Sequence, residues 1–175
     1  MFELPFEFST PRHLDNRGYF QERFSNLDSY GISSCKIVQE NFSFSRKGVL
    51  RGWHWQVPPE AQAKLVTCVN GEILDACLDL RRNSPTFGEV FTFELDSERM
   101  NSVWVPTGFA HAFQATSENV LVLYSTTAFF NPDLSRSINP LDDSIPITWP
   151  ISNPILSEKD AIAPLFLEVS LNDLF

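Results

Sequence analysis

The chain has 175 residues, 43% hydrophobic and 20% charged, which is one domain's worth of sequence (1–175) with a core to bury, and it excludes a disordered chain. A net charge of −9 with no Lys/Arg block excludes nucleic acid as a bulk partner, though a few focused cations could still bind a small phosphate. No run approaches the ~20 apolar residues that span a bilayer, and MFELPFEFSTPRHLDNRG lacks a basic-then-apolar leader, so a soluble, cytoplasmic protein is expected.

Sixteen Phe and four Trp against seven Gly favour strands, where aromatic side chains fit a pleated surface. In chain order the strand-like runs are 17–24, 36–45, 48–56, 63–69, 72–80, 89–95, 102–106, 110–116 and 120–130. Turn chemistry separates them: RKG, VPPE, NG, RRNSPTFG, PTG and SEN. Helix is scarce, with one turn expected near 25–31 and one or two in LSEKDAIAPLF (156–166), opened by Ser157. Many strands at short spacing predict an all-β jelly roll, a double-sheet barrel with short peripheral helices and a ligand pocket in its mouth.

Asn70-Gly71 between two alternating runs predicts a type I′ hairpin pairing Val69 with Glu72. Lys64, Val66 and Cys68 then share a face with Ile73, Asp75, Cys77 and Asp79, and Lys64 lies diagonal to both carboxylates. An ion pair at a strand edge accounts for that face equally well. Cys35, Cys68 and Cys77 are an odd count without CxxC spacing, and read as buried thiols of a reduced compartment.

His54 stands between Trp53 and Trp55 in VLRGWHWQ. Partial desolvation there would favour neutral imidazole and so a competent base; a satisfied core histidine is the bland alternative. Strict alternation separates Arg51 from His54, and a bulge at Gly52 would bring both to one side. His13, His54 and His111 are scattered without metal-ligand spacing, so no metal is expected. Neither a G-x-S-x-G elbow nor a glycine-rich phosphate loop occurs. What remains is an acid–base enzyme without a cofactor, or a binding module.

VLRGWHWQVPPEAQAKLVTCVNGEILDACLDLRRNSPTFG resembles the core of the dTDP-4-dehydrorhamnose 3,5-epimerase family of cupins. That family runs close to V-L-R-G-L-H-[YF]-Q, Q-x-K-L-V, G-x-[IV]-x-D and V-D-[LI]-R-x-x-S-P-T-F-G. DNRGYFQERF, VQENFSFS, VPTGFAHAF, LYSTTAFFNPD, ITWP and LSEKD extend the likeness over about residues 15 to 166. The resemblance implies epimerisation beside the C4 ketone of a nucleotide-diphosphate 4-keto-6-deoxysugar. Such chemistry needs a base, a stabiliser for the enolate and an acid on the opposite ring face, because one base returning its own proton regenerates the starting sugar.

Carried over by motif, the resemblance makes His54 the base and Asp160 of LSEKD its orienting carboxylate. Lys64 is the cation near the developing oxyanion, positioned by Asp75, and Tyr124 is the acid. Arg51 and Arg17 are implied diphosphate contacts, Glu22, Gln39 and Asn41 pocket residues, and His111 a histidine near the keto sugar. Phe130 would stack on the base, and Phe20 and Lys159 complete the implied substrate-binding set. A homodimer exchanging N-terminal strands is also implied, so that Arg17 and Glu22 would serve the neighbouring site.

Three departures bear on which sugar fits. RGLHYQ is here RGWHWQ, GFAHGF is GFAHAF with a methyl at Ala112 expected to crowd the pocket, and W-x-D-P is replaced in INPLDDSIP. A mono-epimerase or ketoisomerase on a related sugar, or a silent sugar-nucleotide-binding cupin, are the alternatives.

Overall fold

A computed structural model describes residues 3–23, 30, 32 and 36–175. Its strands are β1 (Phe6–Phe8), β2 (Arg12–Asp15), β3 (Gly18–Gln21), β4 (Gln39–Ser45), β5 (Leu50–Gln56), β6 (Lys64–Asn70), β7 (Glu72–Asp79), β8 (Val90–Asp96), β9 (Ser102–Val105), β10 (Phe109–Ala115), β11 (Val120–Thr126) and β12 (Ser135–Ser137). Two five-stranded antiparallel sheets run in the orders β1-β9-β6-β11-β4 and β12-β5-β10-β7-β8, and β2 and β3 form a separate hairpin. From β4 to β11 the chain changes sheet at each step except β7 to β8. That is the connectivity of the expected jelly roll.

The nine expected runs correspond to β3 through β11; β1, β2 and β12 hold only three or four residues each, too few to show alternation. β11 stops at Thr126 instead of reaching Phe130, because Ala128 O accepts from Thr126 Oγ1 and Gln62 Nε2, both at 2.9 Å, and draws the chain out of the sheet. The helix α1 (Glu158–Ala161) begins where expected, with the Ser157 hydroxyl accepting from Asp160 N at 3.1 Å. Short 3₁₀ turns at Phe166–Glu168 and Leu171–Asp173 were not anticipated. The helical turn expected near 25–31, apart from Tyr30, and Cys35 lie outside the described residues.

Asn70-Gly71 does not close a hairpin. β6 is flanked by β9 and β11, and β7 by β10 and β8, so neither strand has a free edge for the other. The two residues instead turn a corner from one sheet to the next. Gly71 adopts φ +82°, and a Cβ there would meet Ser117 Oγ at 2.6 Å, so a side chain is barred on both counts. The expected face survives in altered form. Val66, Cys68, Ile73 and Cys77 meet across the space between the sheets, in one core with Phe109, Phe113, Val120 and Val122. Asp79 leaves that set, since Arg81 and Thr86 take its carboxylate at 2.7–2.9 Å.

Two further clusters cover the outer faces. Trp53, Trp55, Ala76, Leu78, Ala110 and Ala112 pack beneath Ile138, Ile145 and Leu174 of the C-terminal segment. Leu65 and Trp104 pack under Phe6, Phe8, Tyr30 and Ile32. Both sheets are thus braced from behind, which leaves the open end of the barrel interior as the place for a ligand.

Candidate active site

A cavity of about 470 Å³ opens between the sheets. The second sheet lines it through Arg51, His54 and Gln56 of β5 and His111 and Phe113 of β10; the first sheet contributes Lys64, Tyr124, Thr126 and the row Gln39, Asn41, Ser43 of β4. Ser157, Lys159 and Asp160 close one side, and Phe130, 57% exposed, stands at the rim.

Gly52 places two of these residues. The β5–β10 register passes from His54↔His111 to Arg51↔Phe113, three residues on β5 against two on β10. This bulge resets the alternation, so Arg51 and His54 both face the cavity while Trp53 and Trp55 point to the outer cluster. The tryptophans therefore do not sandwich His54. Trp53 is core packing, and Trp55 reaches the cavity wall only in part. Ala112 likewise faces outward, onto Gly52 and the outer cluster, and does not crowd the cavity.

His54 Nε2 lies 2.6 Å from Asp160 Oδ1. Burial opposes ionisation of Asp160, but the hydrogen bond and charge of His54, with bonds from Ser157 and the Gly52 amide, outweigh it and hold the carboxyl below its usual range. A fixed carboxylate on one imidazole nitrogen sets the tautomer and leaves the other nitrogen as the lone-pair site.

His111 Nε2 lies 2.7 Å from Asp75 Oδ2, and both side chains are buried. This corrects the expectation that Asp75 directly holds Lys64. Lys64 Nζ instead donates to His54 O at 3.1 Å and feels Asp75 only through its charge. Burial pulls the Lys64 ammonium down to about 8, against the opposing influence of Cys77 and Asp75. Asp75 Oδ1 is buried without a hydrogen-bond partner among the described residues. Burial raises the Tyr124 phenol above its ordinary value, with the Arg51 charge pulling the other way.

The remaining polar groups are held in place. Arg51 donates to Ser45 Oγ at 3.0 Å and Phe44 O at 2.9 Å. Gln39 donates to Asn41 Oδ1 and accepts from Phe130 N, each at 2.9 Å. Of the expected residues, Arg17, Phe20, Glu22 and Asp75 do not line the cavity, Asp75 being buried against His111. Arg17 and Phe20 belong to the β2–β3 hairpin, where the Arg17 side chain is 85% exposed and bonded to Asp15, and Glu22 follows β3 directly.

Sequence reasoning missed Ser43, Gln56, Gln62, Phe113, Thr126, Ser135 and Ser157. Strand parity with Asn41, His54, His111 and Tyr124 could have found Ser43, Gln56, Phe113 and Thr126. Gln62 and Ser135 lie in a loop and a three-residue strand, where no periodicity points to them. Among the described residues no group of three His, Cys, Asp or Glu could hold a metal, and no helix is long and apolar enough to cross a membrane.

The profile of the dTDP-4-dehydrorhamnose 3,5-epimerase family matches residues 5–168. The chain belongs to this family. It is an isomerase of the epimerase type. The dTDP-4-dehydrorhamnose 3,5-epimerase of Shigella flexneri is 42% identical over 156 residues, 88% of this chain and 86% of that protein. A dTDP-6-deoxy-D-glucose-3,5-epimerase from Legionella pneumophila Philadelphia 1, solved with dTDP-4-keto-L-rhamnose, superposes with a TM-score of 0.92 at 37% identity, covering 97% of this chain and 92% of that one. A 3′-monoepimerase from Streptomyces bikiniensis, solved with dTDP-quinovose, gives a TM-score of 0.85 at 33% identity, covering 93% and 84%. Epimerases acting at one carbon and at two thus share the fold seen here.

Proposed function

We propose that the chain inverts C3 and C5 of a dTDP-linked 4-keto-6-deoxyhexose by acid–base chemistry through an enolate, without a cofactor. One observation carries this reading: His54 and Tyr124 line the same cavity from opposite sheets. A flat sugar ring between them meets a base on one face and a phenol on the other. His54, oriented by Asp160, takes the proton beside the C4 ketone on its free ring nitrogen, and the electron pair of the broken C–H bond moves onto the C4 oxygen. Lys64 stabilises that oxyanion with its ammonium charge, and His111, whose Nε2 meets Asp75, adds a hydrogen bond from its second ring nitrogen when both nitrogens carry protons. Tyr124 then protonates the carbon from the opposite face, and solvent exchange restores both groups. Arg51 binds the diphosphate and Phe130 stacks on the base, with Gln39, Asn41 and Lys159 completing the contacts.

In this reading the whole chain acts as one domain within a cytoplasmic homodimer. Arg17, Phe20 and Glu22 serve the neighbouring subunit's cavity through exchange of the β2–β3 hairpin. Their absence from the lining of their own cavity supports this, as do Leu14 and Phe20, exposed by 80% and 67%. The test is a proton NMR time course in D₂O with dTDP-4-keto-6-deoxyglucose. Deuterium at both C3 and C5 is expected. Deuterium at one carbon would make the chain a mono-epimerase, and none would remove the reading for this substrate.

A further inference from the structure

Behind His54, on the face of β5 away from the cavity, the last residues of the chain make a set of contacts that the chemistry above does not use. Trp55 Nε1 donates to Asp173 O at 2.8 Å. Arg136, directly opposite Trp55 in the β5–β12 ladder, donates through Nε to Asp173 Oδ1 at 2.7 Å. One residue therefore grips both strands of an edge pair at the same register, with its backbone on one and its carboxylate on the other. The neighbouring ladder pairs are functional: Ser137 faces His54, and Ser135 faces Gln56, whose side chains both line the cavity.

Asp173 is itself fixed. Leu174 is buried in the outer cluster, and Phe175 exchanges backbone hydrogen bonds with the end of β7, donating to Leu80 O at 3.1 Å and accepting from Arg82 N at 2.9 Å. The strap thus connects the end of β7, which also carries Asp75, to the edge strands beside His54. β12 is the edge strand of its sheet and holds only three residues, so the Asp173 contacts add a side-chain tie to its short backbone pairing with β5. The contact also depends on a residue at which this chain departs from the family pattern. A tyrosine or phenylalanine at 55 has no indole N–H to reach Asp173.

We infer that Asp173 is a positioning residue for the epimerisation: through Trp55 and Arg136 it sets the cavity wall of β5 and β12, and so the pose of the sugar against His54. The inference rests on the epimerase reading. It concerns how evenly the two carbons are presented to one base, since C3 and C5 flank the ketone and a small rotation of the ring favours one of them.

Two conservative variants test it. Asp173→Asn retains the backbone carbonyl and removes the charge that holds Arg136; Trp55→Phe retains an aromatic wall and removes the indole N–H. Deuteration at C3 and C5 is followed by NMR alongside kcat, KM and the melting temperature. Each variant is expected to stay folded, with kcat reduced about tenfold, the size of one lost orienting hydrogen bond. KM should change less than kcat, and the C3:C5 deuteration ratio should shift at least about twofold, since sub-ångström misplacement acts on rate. Folded variants with the wild-type ratio and kcat would overturn the inference. So would a lower melting temperature with an unchanged ratio, because a brace that only stabilises the fold scales both carbons alike. Absence of exchange in the wild-type protein is a different failure: it removes the epimerase reading itself, and the strap's proposed role falls with it.

Discussion

His54 and His111 stand directly opposite each other on adjacent strands, both facing the cavity, and each is bonded to its own aspartate. The two pairs differ in solvent access: the His54 side chain is 38% exposed, whereas that of His111 is 10% exposed and its Asp75 is fully buried. An accessible imidazole can exchange protons with substrate and solvent. A buried one, locked on a buried carboxylate, is better suited to hold an oxygen than to cycle a proton.

This asymmetry gives a first prediction. His54→Asn should abolish deuterium incorporation at both carbons, a loss on the order of 10³-fold or more in kcat. Asp160→Asn should cost less, roughly 10²-fold, because the base remains while its tautomer is no longer enforced. His111→Asn should leave measurable exchange while weakening catalysis, by the ~10²-fold typical of one oxyanion donor. NMR exchange rates on folded variants decide the order. If His111→Asn is the more damaging of the two histidine variants, the roles assigned to them are reversed.

Tyr124 permits a separation that the histidines do not. Removing a phenol that only returns protons from the far face should leave abstraction by His54 intact. Tyr124→Phe is therefore expected to wash deuterium into the starting sugar while epimerised product falls by two or more orders of magnitude, ~3 kcal/mol or more in barrier. Equal losses in exchange and epimerisation would show that Tyr124 acts before the enolate forms.

Much of this site was legible because it sits on strands. Strand register put Lys64 on a face with Val66 and Cys68, and glycine chemistry located the bulge at 52, whereas Tyr124 and Asn41 were reached only by family resemblance. Two contacts were not legible from residue chemistry. The His54–Asp160 pair spans 106 positions and was reached only by family resemblance. The Asp75–His111 bond exists because β7 and β10 are neighbours in one sheet, and the hairpin reading of Asn70-Gly71 had put β7 beside β6 instead. Two-residue Asn-Gly connections usually join paired strands. Here both strands already have two partners, and that is a property of the whole barrel that no local window contains.

The bulge itself makes a sharp packing prediction. A Cβ on Gly52 would lie 2.4 Å from Ala112 Cβ and 2.7 Å from His111 O, and the residue adopts φ +128°. Gly52→Ala should destabilise the fold by ~3 kcal/mol or more, combining overpacking with backbone strain. Adding Ala112→Gly relieves the methyl clash but neither the strain nor the approach of the carbonyl, so recovery should be partial. Chemical denaturation of the two single variants and the double variant measures this. Full recovery in the double variant would place the whole penalty in the methyl contact.

Lys64 links the cavity to pH in two measurable ways. In the proposed mechanism its ammonium stands on the oxyanion, and burial brings it down to about 8 from 10.5. The free enzyme's kcat/KM should therefore fall on a limb near pH 8, tenfold per unit beyond it. Stability moves in the other direction. Between about 8 and 10.5 the unfolded chain keeps a proton on Lys64 that the folded chain has released, so this residue makes stability rise with pH across that window. Below the window both states are protonated and the penalty of burying the charge is present in full, on the order of 3 kcal/mol. Lys64→Met should lose the activity limb together with most of the activity, and flatten the rise in stability. A kcat/KM limb that persists at the same pH in Lys64→Met would assign the titration to another group and leave Lys64 without the electrostatic part given to it.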